Sequence, residues 1–119
     1  MDIQQGNVND LSKEKRGWIA GHFMDDDSPL KTQNVEVKWI VREKGKVKPG
    51  KKNKQKAQTV IILISGKFVL RLPERNKEFI LSKEGDFISF DASTCPHESE
   101  TLEDSKAIVI KWPSLPDNS

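Results

Sequence analysis

Residues 59–90, TVIILISGKFVLRLPERNKEFILSKEGDFISF, limit the possible folds of this chain more than any other stretch. Short apolar runs rich in β-branched and aromatic residues are cut by SGK, PERNK and SKEGD, each of which carries turn-forming residues. Apolar runs this short, so closely spaced, read as consecutive β-strands. The same grammar appears on both sides. In NVEVKWIVR, residues 34–42, Val35, Val37, Trp39 and Val41 alternate with Glu36, Lys38, Ile40 and Arg42, the period of a half-buried strand. SKAIVIKWPSLP, residues 105–116, supplies one more strand, which Pro113 stops.

Strands are expected near residues 35–42, 58–65, 67–73, 77–82, 86–91 and 105–112. No stretch of ten or more residues has an apolar period near 3.6 with start and stop signals, and DLSKEKRGW offers at most a single helical turn. An all-β sandwich or barrel follows, preceded by an irregular N-terminal arm. At 119 residues there is one domain's worth of chain, and hydrophobic residues make up only 34% of it, so the core is small. The expected division is residues 1–33 as an arm packing on the barrel and 34–115 as the barrel itself.

Charge is unevenly placed. Residues 42–56, REKGKVKPGKKNKQK, carry eight Lys or Arg against one Glu, while acidic clusters stand at 25–27 and 98–104. No aromatic residue is interleaved in the lysine-rich stretch, so it reads as a solvated loop and makes nucleic acid an unlikely partner. The opening MDIQQGNVNDLS lacks a basic start and an apolar block, and no apolar run approaches the ~20 residues of a membrane span, so a soluble cytoplasmic protein is expected. A single cysteine excludes a multi-Cys zinc site and an internal disulfide.

LISGKFVL, followed some way on by EGDFISFDASTCPH, resembles the two halves of the cupin signature. The flanking segments RGWIAGHF, VEVKW and DSKAIVIKWPS are similar to those of a subgroup of small single-domain bacterial cupin-like proteins. The resemblance covers roughly residues 34–112. It implies a small jelly-roll β-barrel of RmlC-like type and a homodimer, which would also cover an exposed edge strand. With Gly66 placed on the last glycine of the first half, Thr59 stands where the family has its metal-binding Glu. The His-x-His pair then falls on or near Asn53 and Gln55. Gly85 and Asp86 match the opening of the second half, and His97 matches its histidine.

On this alignment the first motif is degenerate, because neutral oxygens are poor ligands for iron, manganese or zinc. The ligand-binding candidates are His97, Thr59, Gln55, Glu36, Lys38 and Arg42; the metal candidates are His97 and His22. No cofactor is expected, a divalent metal at His97 and His22 being the exception considered. Cys95 and His97, two apart on an extended segment, are also weighed as a nucleophile and base, but nothing in the sequence lowers the thiol pKa. The expected function is binding of a small molecule or a partner without catalysis. The alternative is a metal-dependent oxygenase, isomerase or lyase acting on a small polar substrate. Periodicity leaves open which face of the 35–42 strand turns inward. Trp39 and Trp112 read as core or rim packing, and Trp18 as a pin for the N-terminal arm.

Overall fold

The computed structural model describes residues 2–49 and 57–116. Helix α1 (Val8–Glu14) opens the chain, where a single turn was expected. Its start is fixed by the Asn7 side chain, whose Oδ1 accepts the Asn9 N–H at 2.8 Å, and Asp10 and Lys13 sit at the ends that suit the helix dipole. Arg16 (φ 55°) and Gly17 (φ 102°) then turn the chain sharply into β1 (Trp18–Ala20). The strands that follow are β2 (Glu36–Arg42), β3 (Val47–Lys48), β4 (Gln58–Leu72), β5 (Lys77–Leu81), β6 (Phe87–Asp91) and β7 (Glu98–Trp112).

All seven strands join one antiparallel sheet in the order β1-β2-β7-β4-β5, with β6 also on β4 and β3 also on β7. The organising pair is β4 with β7, each 15 residues long. Their pairing shifts register between Leu63 and Phe68, and the sheet folds over at this point. Before the shift β4 lies between β7 and β6; after it, between β7 and β5. Likewise β7 pairs β3 with its first residues and β2 with its last. Two leaves result, β1-β2-β7-β4-β6 and β3-β7-β4-β5, sharing two strands.

Gly66 makes the fold-over possible. Its φ is +95°, and a Cβ there would collide with the carbonyl oxygen of Asp104 and with Ser105 Oγ. The buried positions of β4 change parity across it, from Thr59, Ile61 and Leu63 to Phe68, Leu70 and Leu72. The apolar ones among these, with Ala57, Leu81, Phe90, Ala92, Cys95, Ala107 and Val109, form one core between the leaves.

The expected closed barrel is corrected to an open, folded-over sheet: among the described residues the strand path ends at β1 and β5 without joining. The edges explain this, since β1 has three residues with a register irregularity and β3 has two. Two further differences have plain causes. SGK was expected to be a turn between strands, but it is a bulge inside one. The acidic 98–104 segment was expected to be a connection, but it is strand, because Arg71 on the same leaf answers its charges, 3.0 Å from Glu100 and 3.9 Å from Glu98.

Candidate functional site

The register of β2 on β7 settles which face turns inward. Lys38 lies opposite Val109, Ile40 opposite Ala107 and Arg42 opposite Ser105, and all three β7 residues are buried. The polar alternates Glu36, Lys38 and Arg42, together with Ile40, therefore face the interior. Val37, Trp39 and Val41 face outward, so of the two readings of Trp39 the core one is corrected and packing outside the core remains: its indole N–H donates to Asn9 Oδ1 of α1 at 2.9 Å. Lys67 and Arg71 do not join the inward group; Lys67 sits at the fold-over, and Arg71 alternates with the buried Leu70 and Leu72. Trp112 is 43% exposed at the end of β7.

Across the leaf the inward residues form layers. Glu36, Lys111, Thr59 and Phe90 make one; Lys38, Val109, Ile61 and Ile88 make the next. Trp18 pairs with Lys38 on the edge strand, and its ring is approached by Lys38 Nζ at 5.2 Å and Lys111 Nζ at 5.4 Å. Gly17 lets this happen, because a Cβ there would come within 3.0 Å of Lys38 Cε and of the Trp39 carbonyl oxygen.

Several positive groups thus share a confined space. Burial first, then the charges of Lys48, Arg42 and Lys111 together with a hydrogen bond to Lys48, push the Lys38 amine down to about 8. Burial also lowers Arg42. His97 is lowered mainly by burial, with a smaller contribution from Lys111 and Lys48, while its bond to the Cys95 carbonyl acts in the opposite direction. The imidazole packs on Phe90, centroids 4.7 Å apart.

Cys95 and His97 do not form a nucleophile pair. His97 Nδ1 lies 3.3 Å from the Cys95 carbonyl oxygen, and the thiol is buried in the core, 3.7 Å from Thr94 Oγ1. Thr59, 2% exposed, donates Oγ1–H to the Ala57 carbonyl at 3.1 Å. Asn53 and Gln55 lie outside the described residues.

Glu36 and His22 meet, but in a structural knot. Ser114 Oγ donates to Glu36 Oε2 at 3.0 Å, accepts the His22 backbone N–H at 2.9 Å and lies 2.7 Å from His22 Nδ1. With the Ser114 hydrogen given to Glu36, His22 Nδ1 carries its own hydrogen and donates it. His22 Nδ1 is 3.7 Å from Glu36 Oε2, while Glu36 Oε1 is buried with no hydrogen-bond partner among the described residues. No three His, Cys, Asp or Glu side chains among the described residues are grouped to hold a metal ion. This donor set does not fit the metals that cupin-type sites hold, which require about three strong ligands.

Lys48, Lys111, Trp18 and Ser114 are the site residues that sequence reasoning missed. Lys111 was detectable, since it continues the parity of the apolar Ala107 and Val109. Lys48 was hidden in the lysine-rich loop, and nothing marked Ser114.

The same fold occurs in solved cupins. The chain is similar to an RmlC-like cupin from Desulfovibrio desulfuricans (15% identity, TM-score 0.61, covering 71% of this chain and 76% of that one). It is also similar to KdgF from a Halomonas species (21%, TM-score 0.62, 72% and 76%). A third likeness is to the DMSP lyase DddQ from Ruegeria pomeroyi (15%, TM-score 0.63), covering 80% of this chain but 46% of that one. No protein-family model matches the sequence, and no curated protein matches it. Identities this low establish the fold: this chain is folded as an RmlC-like cupin.

Proposed function

We propose that this cupin-fold chain is a non-catalytic small-molecule-binding protein, with the inward face of β2 as its binding surface and a degenerate metal site. The observation that carries the reading is the chemistry of that face: Lys38 and Arg42 turn inward, and the described residues bring no metal-ligating group together beside them. His97 remains in the position of the family's second-half histidine but packs on Phe90, and burial favours its neutral form. Thr59 occupies the floor of the same layer.

The test is metal analysis of protein purified without chelator, compared with His97→Ala. Trace metal in both supports the reading. Near-stoichiometric transition metal that disappears in His97→Ala overturns it in favour of a metal-dependent oxygenase, isomerase or lyase.

The proposal includes self-association as a homodimer through the outward face of the first leaf. There Val37, Ile110 and Val60 form one row, and Trp39, Ile108, Ile62 and Phe87 the next, with Phe87 68% exposed. Polar side chains ordinarily occupy the solvent face of an antiparallel leaf; on this leaf the outward face carries these two apolar rows, with Ser89 beside Val60.

A further inference from the structure

Arg42 stands where three hollows meet. It lines a cleft of ≈ 270 Å³ together with Lys13, Arg16 and Lys38. On its other side it lines a groove of ≈ 500 Å³ with Lys46 and Lys48, and inward it borders a cavity of ≈ 30 Å³ walled partly by Thr101 and Ser105. Among the described residues the first cleft and the inner cavity have no acidic side chain in their walls; the groove has Glu43.

Exposed lysines are ordinary, and Lys13, Arg16 and Lys48 are exposed. Lys38 and Arg42 are different. They are partly buried on the core face of a strand, and neither makes an ion pair among the described residues. Partly desolvating two like charges near one another without a counter-charge costs free energy, and the fold even supplies a positive-φ glycine to let Lys38 pass beneath the chain. Such uncompensated groups in a cleft are what an incoming ligand of opposite sign would stabilise.

Building on the small-molecule reading above, we infer that the ligand is a small organic anion bearing carboxylate or phosphate groups, held by Lys38 and Arg42. Arg42 offers a planar fork suited to two oxygens of one group, and Lys38 a point charge. Lys48 and Lys111 add positive potential at the rim, and Trp18 offers an apolar wall beside Lys38 and Lys111. A neutral polyol would bring no counter-charge to Lys38 and Arg42, so the site discriminates by sign.

The experiment is a calorimetric titration of the full chain, at neutral pH and low ionic strength, with succinate, with inorganic phosphate and with neutral erythritol. Lys38→Met and Arg42→Met are compared with Lys106→Met, whose position pairs with the exposed Val41 on the outward face. Circular dichroism verifies that each variant is folded. Succinate, phosphate or both bind the wild type; Lys38→Met or Arg42→Met weakens this at least about tenfold, the loss of one charge-assisted contact, and Lys106→Met leaves it unchanged. Which anion binds tells carboxylate from phosphate. Undiminished anion binding in both site variants overturns the inference. Binding of erythritol without either anion overturns it while leaving the small-molecule reading intact. Failure of all three probes overturns both.

Discussion

Ser114 Oγ donates a hydrogen bond to Glu36 Oε2 across 3.0 Å, tying the chain just beyond β7 to the first residue of β2 beneath the N-terminal arm. Both side chains are fully buried, and His22 closes the knot from the arm. Removing the hydroxyl by Ser114→Ala leaves a buried carboxylate oxygen without its donor. Stability is expected to fall by about 1–3 kcal/mol, the cost of an unsatisfied buried polar group. Thermal unfolding reads this as a drop of several degrees, and an unchanged midpoint would show that Glu36 is satisfied in some other way.

Gly66→Ala places a Cβ against Asp104 and Ser105 at a backbone angle that alanine rarely adopts. The expected loss is roughly 1–3 kcal/mol or more from strain and collision together. Urea unfolding of this variant beside Gly45→Ala, where a Cβ would meet nothing, separates the packing component from the positive φ that the two glycines share.

The lowered Lys38 pKa has two consequences of defined sign. Its ammonium form is the anion-binding form, so affinity for succinate or phosphate falls as pH rises through about 8. The folded state also binds this proton less tightly than the unfolded chain. The resulting destabilisation is fully present below about 8 and is relieved as pH rises from there towards the ordinary lysine value of 10.5. Lys38→Met removes both effects. The groups facing Lys38 are Arg42 on its own strand, Lys48 on β3, and Lys111 with Trp18 at the edge. Titration calorimetry across this range measures the first effect, and chemical denaturation the second.

His97 is shifted in the same direction, so its neutral form is the one that suits the fold. As pH falls below the ordinary histidine value of 6.5, the unfolded chain takes up this proton first and stability declines. His97→Gln is expected to flatten that part of the stability profile, as followed by denaturation midpoints.

If the outward face of the first leaf joins two copies, Ile108→Lys at its centre gives a monomer, whereas Glu103→Lys, an exposed position beside the fold-over, leaves the assembly unchanged. Sedimentation velocity distinguishes the two outcomes, and a wild type that sediments as a monomer removes this part of the proposal.

Much of the strand layout was legible because short apolar runs between turn residues have few other uses. The bent strands were not. SGK reads locally as a turn, and only the contact of Gly66 with the partner strand converts it to a bulge. The acidic 98–104 segment looks too charged for a strand until Arg71 is brought across from β4. In β2 the ordinary rule failed outright: the valine and tryptophan set, apolar by every local measure, lies outside, and Glu36, Lys38 and Arg42 lie within. Nothing in NVEVKWIVR reveals that reversal, because it depends on which face of β7 is buried. Phe90 pairs with Thr59 across the sheet and packs against His97, while the charges acting on His97 come from Lys48 and Lys111, which no motif marked.

Because β4 and β7 both run through the fold-over, each leaf keeps its own half of the β4–β7 ladder. Parting the leaves like a clamshell would mean straightening both strands at the Gly66 bulge and exposing the one core between them. The smaller disturbance that lets solvent reach the interior is at the margins, where β1 holds by three residues and β3 by two, by fraying of short edges with the two-leaf body left closed. Trp18 and Lys48 stand on those two edges, so the groups that rim the pocket are also the ones whose movement opens it.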